Sequence, residues 1–231
     1  MRLLLLSNST MPGQPYFDWP KPHVKAFLGQ AVKEILFVPF AAVTISFNEY
    51  EQAFANAVEP LGYKVRGIHK EADMVAAVES AEVIAVGGGN TFQLVKMLHE
   101  NELIEAINRV VKNGTPYMGW SAGSNVACPT VKTTNDMPIV YPPSFDGINL
   151  VNFQINPHFT NQTIPNHGGE TRSQRLKEFM QVNQEIVVYG VPEGAFLKVE
   201  GDKLSYHGTG LLQKMQFGRE TEEFEPGSIL K

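Results

Sequence analysis

Short, wholly apolar runs alternate with stretches of helical spacing through the first half of this chain, and that alternation limits the fold more than any other feature. Residues 3–7, 35–40, 63–68, 83–86 and 116–120 read as strands. Between the second and third, Ser46-Phe47-Asn48-Glu49 has the form of a capping box. Tyr50, Ala53, Phe54, Ala57 and Val58 then fall on one helical face, and Pro60-Leu61-Gly62 ends the helix. Shorter helices fit 73–80, 92–99 and 103–112. A strand covered on both faces is apolar throughout rather than on alternate residues, which marks a parallel sheet sandwiched between helices. The expected class is therefore α/β, a mostly parallel sheet flanked by helices, in a single domain over residues 1–231.

The pattern loosens after residue 129. Residues 130–170 are rich in Pro, Asn and Thr and read mostly as loops, with a strand near 151–155. A helix fits 170–181 and a strand 186–191. Hairpin-like pieces surround Gly201-Asp202 and Gly208-Thr209-Gly210, and the acidic tail from Arg219 reads as an edge.

Composition narrows the function classes. With 231 residues, 43% of them hydrophobic, the chain can bury a sizeable core. A formal net charge of -5 argues against nucleic acid or an anionic membrane as the main partner. Cys128 stands alone, so it cannot form an internal disulfide, and it reads as a small buried hydrophobe rather than a nucleophile. Four leucines before Ser7 are too few for a signal segment or a membrane span. The expected location is cytoplasmic.

In parallel sheets, ligands sit beyond the carboxyl ends of the strands. Two motifs occupy such ends. The first is Gly119-Trp120-Ser121-Ala122-Gly123, a Gly-x-Ser-x-Gly turn between a strand and a helix. Its glycines permit a tight bend that aims a serine Oγ outward, so Ser121 is the candidate nucleophile. The second is Gly87-Gly88-Gly89-Asn90-Thr91. It lacks the Lys-Ser/Thr of a phosphate loop and the spacing of a dinucleotide fingerprint. It fits better as one half of an oxyanion hole, an amide of this run pairing with the amide of Ala122. Asn90 is a candidate substrate contact or, more simply, a helix cap. Ser124 reads as a neighbour facing solvent or a helix carbonyl.

A nucleophilic serine needs a base, and the base an orienting acid. Of the six histidines, His158 ends a strand in Asn156-Pro157-His158-Phe159 and is the candidate base. His23, His69, His99 and His207 read as surface residues, and His167 lies in the loop Asn166-His167-Gly168-Gly169. Two carboxylates compete for the acid: Asp136, in Thr133-Thr134-Asn135-Asp136-Met137-Pro138, and Glu193, in Pro192-Glu193-Gly194 just after an apolar strand.

These motifs together resemble the peptidase E family of serine peptidases, the α-aspartyl dipeptidases. The resemblance runs from the first strand to about residue 200. It implies the fold of class I glutamine amidotransferases, with serine in place of their cysteine. It also implies hydrolysis of dipeptides with an amino-terminal aspartate (Asp-Xaa) through an acyl-enzyme, with no metal and no cofactor. Carried over by motif, Ser121 is the nucleophile, His158 the base, and Gly89 and Ala122 the oxyanion-hole donors; the acid stays open between Asp136 and Glu193. Selecting an aspartyl side chain requires a cation. Arg172, in Gly169-Glu170-Thr171-Arg172-Ser173, is the candidate, with Asn90 assisting, since a guanidinium can clasp a carboxylate bidentately. The alternatives are a cyanophycinase-like peptidase acting on β-aspartyl bonds and a catalytically silent module that binds acidic metabolites.

Overall fold

The computed structural model describes residues 1–163 and 168–230; His167 lies outside them. The five anticipated strands form one parallel block: β1 (Arg2–Leu6), β2 (Glu34–Val38), β3 (Lys64–Gly67), β4 (Ile84–Val86) and β5 (Tyr117–Trp120), in the order β1-β5-β4-β2-β3. Beside β1 the sheet turns antiparallel through β8 (Phe196–Glu200), β9 (Lys203–His207) and β12 (Ile229–Leu230), making eight strands. A smaller sheet of four strands has the order β11-β10-β7-β6. It is built from β6 (Gln154–Asn156), β7 (Val188–Gly190), β10 (Leu212–Met215) and β11 (Glu222–Phe224). The second sheet was not foreseen, although its strands fall near the expected apolar segments.

The run Leu3-Leu4-Leu5-Leu6 shows why strands of this block carry no polar alternation. Leu3 and Leu5 enter one core, with Leu36, Val38, Ile84, Val86 and Tyr117. Leu4 and Leu6 enter the opposite one, with Ile35, Phe37, Ala85, Met118 and Trp120. Successive side chains point to opposite faces, and both faces are covered.

The helices follow their sequence signals closely. α2 (Phe47–Val58) starts at a complete Ser46/Glu49 capping box. Asp73 caps α3 (Met74–Glu79), and α5 (Leu103–Lys112) has the anticipated bounds. α4 (Thr91–Glu100) is capped by Asn90. α7 (Arg172–Val182) starts at a Thr171/Gln174 capping box. Not anticipated was α1 (Lys21–Leu28), which has Pro22 in its first turn and Gly29 after its last residue. A very short α6 (Ala122–Asn125) follows β5 directly. Among the described residues no helix is long and apolar enough to cross a membrane.

The four histidines expected on the surface are each only partly exposed. His23 and His207 pack on Phe196, with ring centroids 4.7 and 5.1 Å away. His69 bonds to Asn48 beside Glu51. Burial lowers the pKa of His23, His69 and His207. His69, His99 and His207 each keep a ring nitrogen on a polar partner: Asn48 Oδ1, the Asp146 carbonyl and Ser205 Oγ.

Candidate active site

The ends of β1, β5 and β4 are neighbours in the sheet, and each is followed by a segment that faces the same cavity, of about 290 Å³. From β5 comes the turn at Ser121. Its φ of 52° and ψ of -113° place a non-glycine residue in a strained conformation costing about 1–3 kcal/mol. The glycines around it allow the bend. A Cβ on Gly119 would lie 2.3 Å from the Gly123 carbonyl oxygen, and one on Gly123 would lie 2.1 Å from that of Val86. Ser124, expected to face solvent or a helix carbonyl, is fully buried; its hydroxyl donates to the carbonyls of Leu6 and Gly119, tying the turn to β1. Ala122 and Gly123 open α6, where the first amides of a helix have no intrahelical acceptor.

From β4 comes the glycine run. Gly89 has φ of 138°, and a Cβ there would meet the Ala41 carbonyl oxygen at 2.3 Å. Gly88 and Gly89 line the cavity with Ser121. Asn90 has its side chain committed at both ends: Oδ1 accepts from the Gln93 amide at the start of α4, and Nδ2 donates to the Met137 carbonyl. The capping alternative thus describes its geometry.

The second sheet supplies the histidine and the carboxylate. β6 and β7 run parallel, with Asn156 opposite Gly190, so His158 and Glu193 emerge side by side from their carboxyl ends. His158 Nδ1 lies 2.7 Å from Glu193 Oε1, and Nε2 lies 2.9 Å from Ser121 Oγ. A neutral imidazole protonated on Nδ1 donates to the carboxylate and leaves Nε2 free to accept the serine proton.

Backbone contacts hold this arm in place. His158 has φ of 53°, and its amide donates to Ser7 Oγ at 2.7 Å, while that hydroxyl donates to the Val191 carbonyl. The Gly194 amide donates to Asn8 Oδ1, and Thr209 Oγ1 donates to the Glu193 carbonyl. Sequence reading missed Ser7 and Asn8. The available signal was a polar pair directly after the apolar β1, at the same end of the sheet as Ser121.

Asp136 sits elsewhere. Its carboxylate accepts from the Thr91 amide at 2.7 Å and from Thr134 Oγ1 at 3.2 Å, at the positive end of α4. The segment around it braces the β6 end: Asn135 donates to the Pro157 carbonyl, and Asn156 donates to the Thr133 carbonyl and to Asn135 Oδ1.

Arg172 opens α7 and donates to the Pro157 carbonyl, one residue before the histidine. It is half-buried, and among the described residues it forms no ion pair within 4.0 Å. Burial lowers its pKa, opposed by the nearby carboxylates of Glu193 and Asp136. It lines a second small cavity, about 160 Å³, together with Asp136 and Asn156. Cys128 is fully buried, and burial pushes its thiol up to about 12, so it holds little thiolate. Among the described residues no three His, Cys, Asp or Glu side chains gather as metal ligands. The larger cavities, of about 660 and 700 Å³, lie away from Ser121.

Comparison with known proteins gives the family. Residues 3–207 match the model of peptidase family S51. The Peptidase E of Nostoc sp. (strain PCC 7120) is 50% identical over 225 residues, covering 97% of this chain and 93% of the relative. The Peptidase E of Shigella flexneri serotype 5b (strain 8401) is 46% identical over 227 residues, covering 98% and 99%. In fold, the chain is similar to the crystal structure of a peptidase from an acI-B1 Actinobacterium, with a TM-score of 0.72 at 19% identity, covering 99% and 96%. A match over most of the chain and relatives near half identity leave one conclusion: the chain belongs to peptidase family S51 and is a serine-type peptidase.

Proposed function

We propose that this peptidase hydrolyses dipeptides with an amino-terminal aspartate, using Ser121 as nucleophile, His158 as base and Glu193 as the acid that orients it. The observation that carries the proposal is one continuous chain of hydrogen bonds, Ser121 Oγ to His158 Nε2 and His158 Nδ1 to Glu193 Oε1, at 2.9 and 2.7 Å. In this reading Ser121 Oγ attacks the aspartyl carbonyl while His158 takes its proton. The oxyanion settles between the Gly89 and Ala122 amides. His158 then protonates the leaving amine, and water hydrolyses the aspartyl-enzyme.

Arg172 is assigned to the substrate's aspartyl carboxylate. A half-buried guanidinium with one carbonyl acceptor, in the residue before the histidine, keeps further donors for a carboxylate. The peptide-hydrolysing relatives named Peptidase E support the substrate class. Asp136 is assigned to holding the α4 start and, with it, the glycine run. Asn90 is assigned to capping rather than to substrate.

Ser121→Ala tests the nucleophile: kcat for Asp-Leu should fall roughly 10⁴–10⁶-fold with the fold intact. Near-normal turnover would reject the assignment. A panel of Asp-Leu, β-Asp-Arg and Leu-Leu tests the substrate. Cleavage of β-Asp-Arg without Asp-Leu would favour a β-aspartyl peptidase. A serine-directed reagent that left Ser121 unlabelled would favour a silent binding module.

A further inference from the structure

Tyr50 lies in α2, far from Ser121 in sequence, yet its ring forms part of the wall of the Ser121 cavity. Its hydroxyl lies 2.9 Å from the Gly88 carbonyl oxygen and 3.0 Å from Trp120 Nε1. The direction of both bonds is set by chemistry. An indole nitrogen only donates, so Tyr50 Oη accepts from Trp120 and spends its single proton on Gly88.

The Gly88 carbonyl belongs to the same peptide unit as the Gly89 amide. In a trans peptide the C=O and N–H point in opposite directions. Holding the carbonyl against Tyr50 therefore turns the Gly89 N–H the other way. The backbone on either side is anchored by the chain itself: the Gly87 amide donates to the Val38 carbonyl, and the Asn90 amide donates to the Ala41 carbonyl. The unit between Gly88 and Gly89 is flanked by two residues without a Cβ, which rotate readily, and its carbonyl is held by a side chain. The packing is specific to this arrangement. A Cβ on Gly87 would lie 2.8 Å from the Tyr50 ring, and one on Gly88 would lie 3.0 Å from Ser121 Cβ. Burial pushes Tyr50 up to about 12, so it stays a donor across the working range of a histidine base.

We propose that Tyr50 is a positioning residue for the oxyanion hole: oriented by Trp120 of the nucleophile turn, it clamps the Gly88 carbonyl and so aims the Gly89 amide at the developing oxyanion. The device couples the two halves of the hole, since the residue before Ser121 holds the group that sets the glycine run. It rests on the reading of Ser121 as nucleophile and of Gly89 as an oxyanion donor.

The test is Tyr50→Phe, which keeps the ring against Tyr16 and Phe37 and removes only the hydroxyl. With Asp-Leu, kcat should fall about 10- to 100-fold with KM within twofold, a part of the ~10²–10³ lost with a donor outright. Affinity for an aspartyl aldehyde, which forms a tetrahedral adduct with the serine, should fall by the same factor. Affinity for free aspartate should not move. Thermal unfolding and a crystal structure of the variant are recorded alongside, the structure showing whether the Gly88–Gly89 peptide has turned. Trp120→Phe, which leaves the tyrosine but frees its hydroxyl, should give a smaller effect with the same split, and serves if Tyr50→Phe does not fold. A kcat within twofold of the parent, or equal losses for aldehyde and aspartate, in whichever variant folds, would overturn the proposal. Ser121→Ala keeps the two levels apart: full activity there removes the underlying reading, whereas an inactive Ser121→Ala beside an unaffected Tyr50→Phe removes only the clamp.

Discussion

The turn around Ser121 and the arm carrying His158 and Glu193 meet at one serine proton but are held in different ways. The turn is local. Gly119, Ser121, Gly123 and Ser124 lie within six residues, and the contacts that force its shape run to the adjacent β1 and β4. The arm is assembled from distant pieces: Ser7 reaches across 151 residues to the His158 amide, and Asn8 across 186 to Gly194. A strained local turn has no room for a side chain at its glycines. A distributed arm is expected to lose its function in steps, one support at a time.

Gly123→Ala should have the largest effect. The new Cβ would lie 2.1 Å from a backbone oxygen in β4, where nothing flexible can yield. The expected loss is at least about 3 kcal/mol by thermal unfolding, with peptidase activity abolished. A stable, active variant would show that the turn is less rigid than its packing requires.

Glu193→Gln comes next, with kcat reduced about 10²–10³-fold in steady-state kinetics. That is less than the ~10⁴ seen for a buried orienting acid, because Glu193 is 44% exposed and solvent shares its role. Asp136→Asn should cost less than tenfold in kcat and about 1 kcal/mol of stability, by weakening its hold on the α4 start. Reversal of that order would transfer the acid role to Asp136.

Ser7→Ala should be milder in kcat than Glu193→Gln. It leaves the His158 amide and the Val191 carbonyl without their shared hydroxyl, at about 1–3 kcal/mol. A fall in kcat larger than the fall from Glu193→Gln would mean that the backbone of the arm matters more than its carboxylate. Smallest is Thr171→Ala, which removes half of the α7 capping box, about 1 kcal/mol. With Arg172 as the first residue of α7, KM for Asp-Leu should rise a few-fold while kcat holds. A change confined to kcat would disconnect Arg172 from substrate.

The same contrast explains what could be read in advance. The parallel block was legible because a strand buried on both faces has to be apolar at every position, as Leu3 to Leu6 are. The helix starts were legible because capping is chemistry between residues three apart, as at Ser46 and Glu49. Ser121 and the glycine run were legible as short motifs at strand ends. The second sheet was harder. Its described strands are three or four residues long, too short for a period to show. Helix α1 carries Pro22 in its first turn and Gly29 just past its last residue, but it is only eight residues long and has no side-chain cap, so its apolar face is a short signal.

By itself, then, the sequence determined the α/β class, the strained serine turn and the pair of carboxylates from which an acid could be drawn, because each is written in neighbouring residues. Only the tertiary structure brings one of those carboxylates, Glu193, onto His158. Glu193 follows β7 as His158 follows β6, and the parallel register of the two strands brings them to 2.7 Å. Asp136 is held at the head of α4 by the Thr91 amide. Pro192 precedes Glu193 and Pro138 lies two residues beyond Asp136, and no local pattern records which strand lies next to which. That is set by long-range pairing, through hydrogen bonds that leave no trace in the order of side chains.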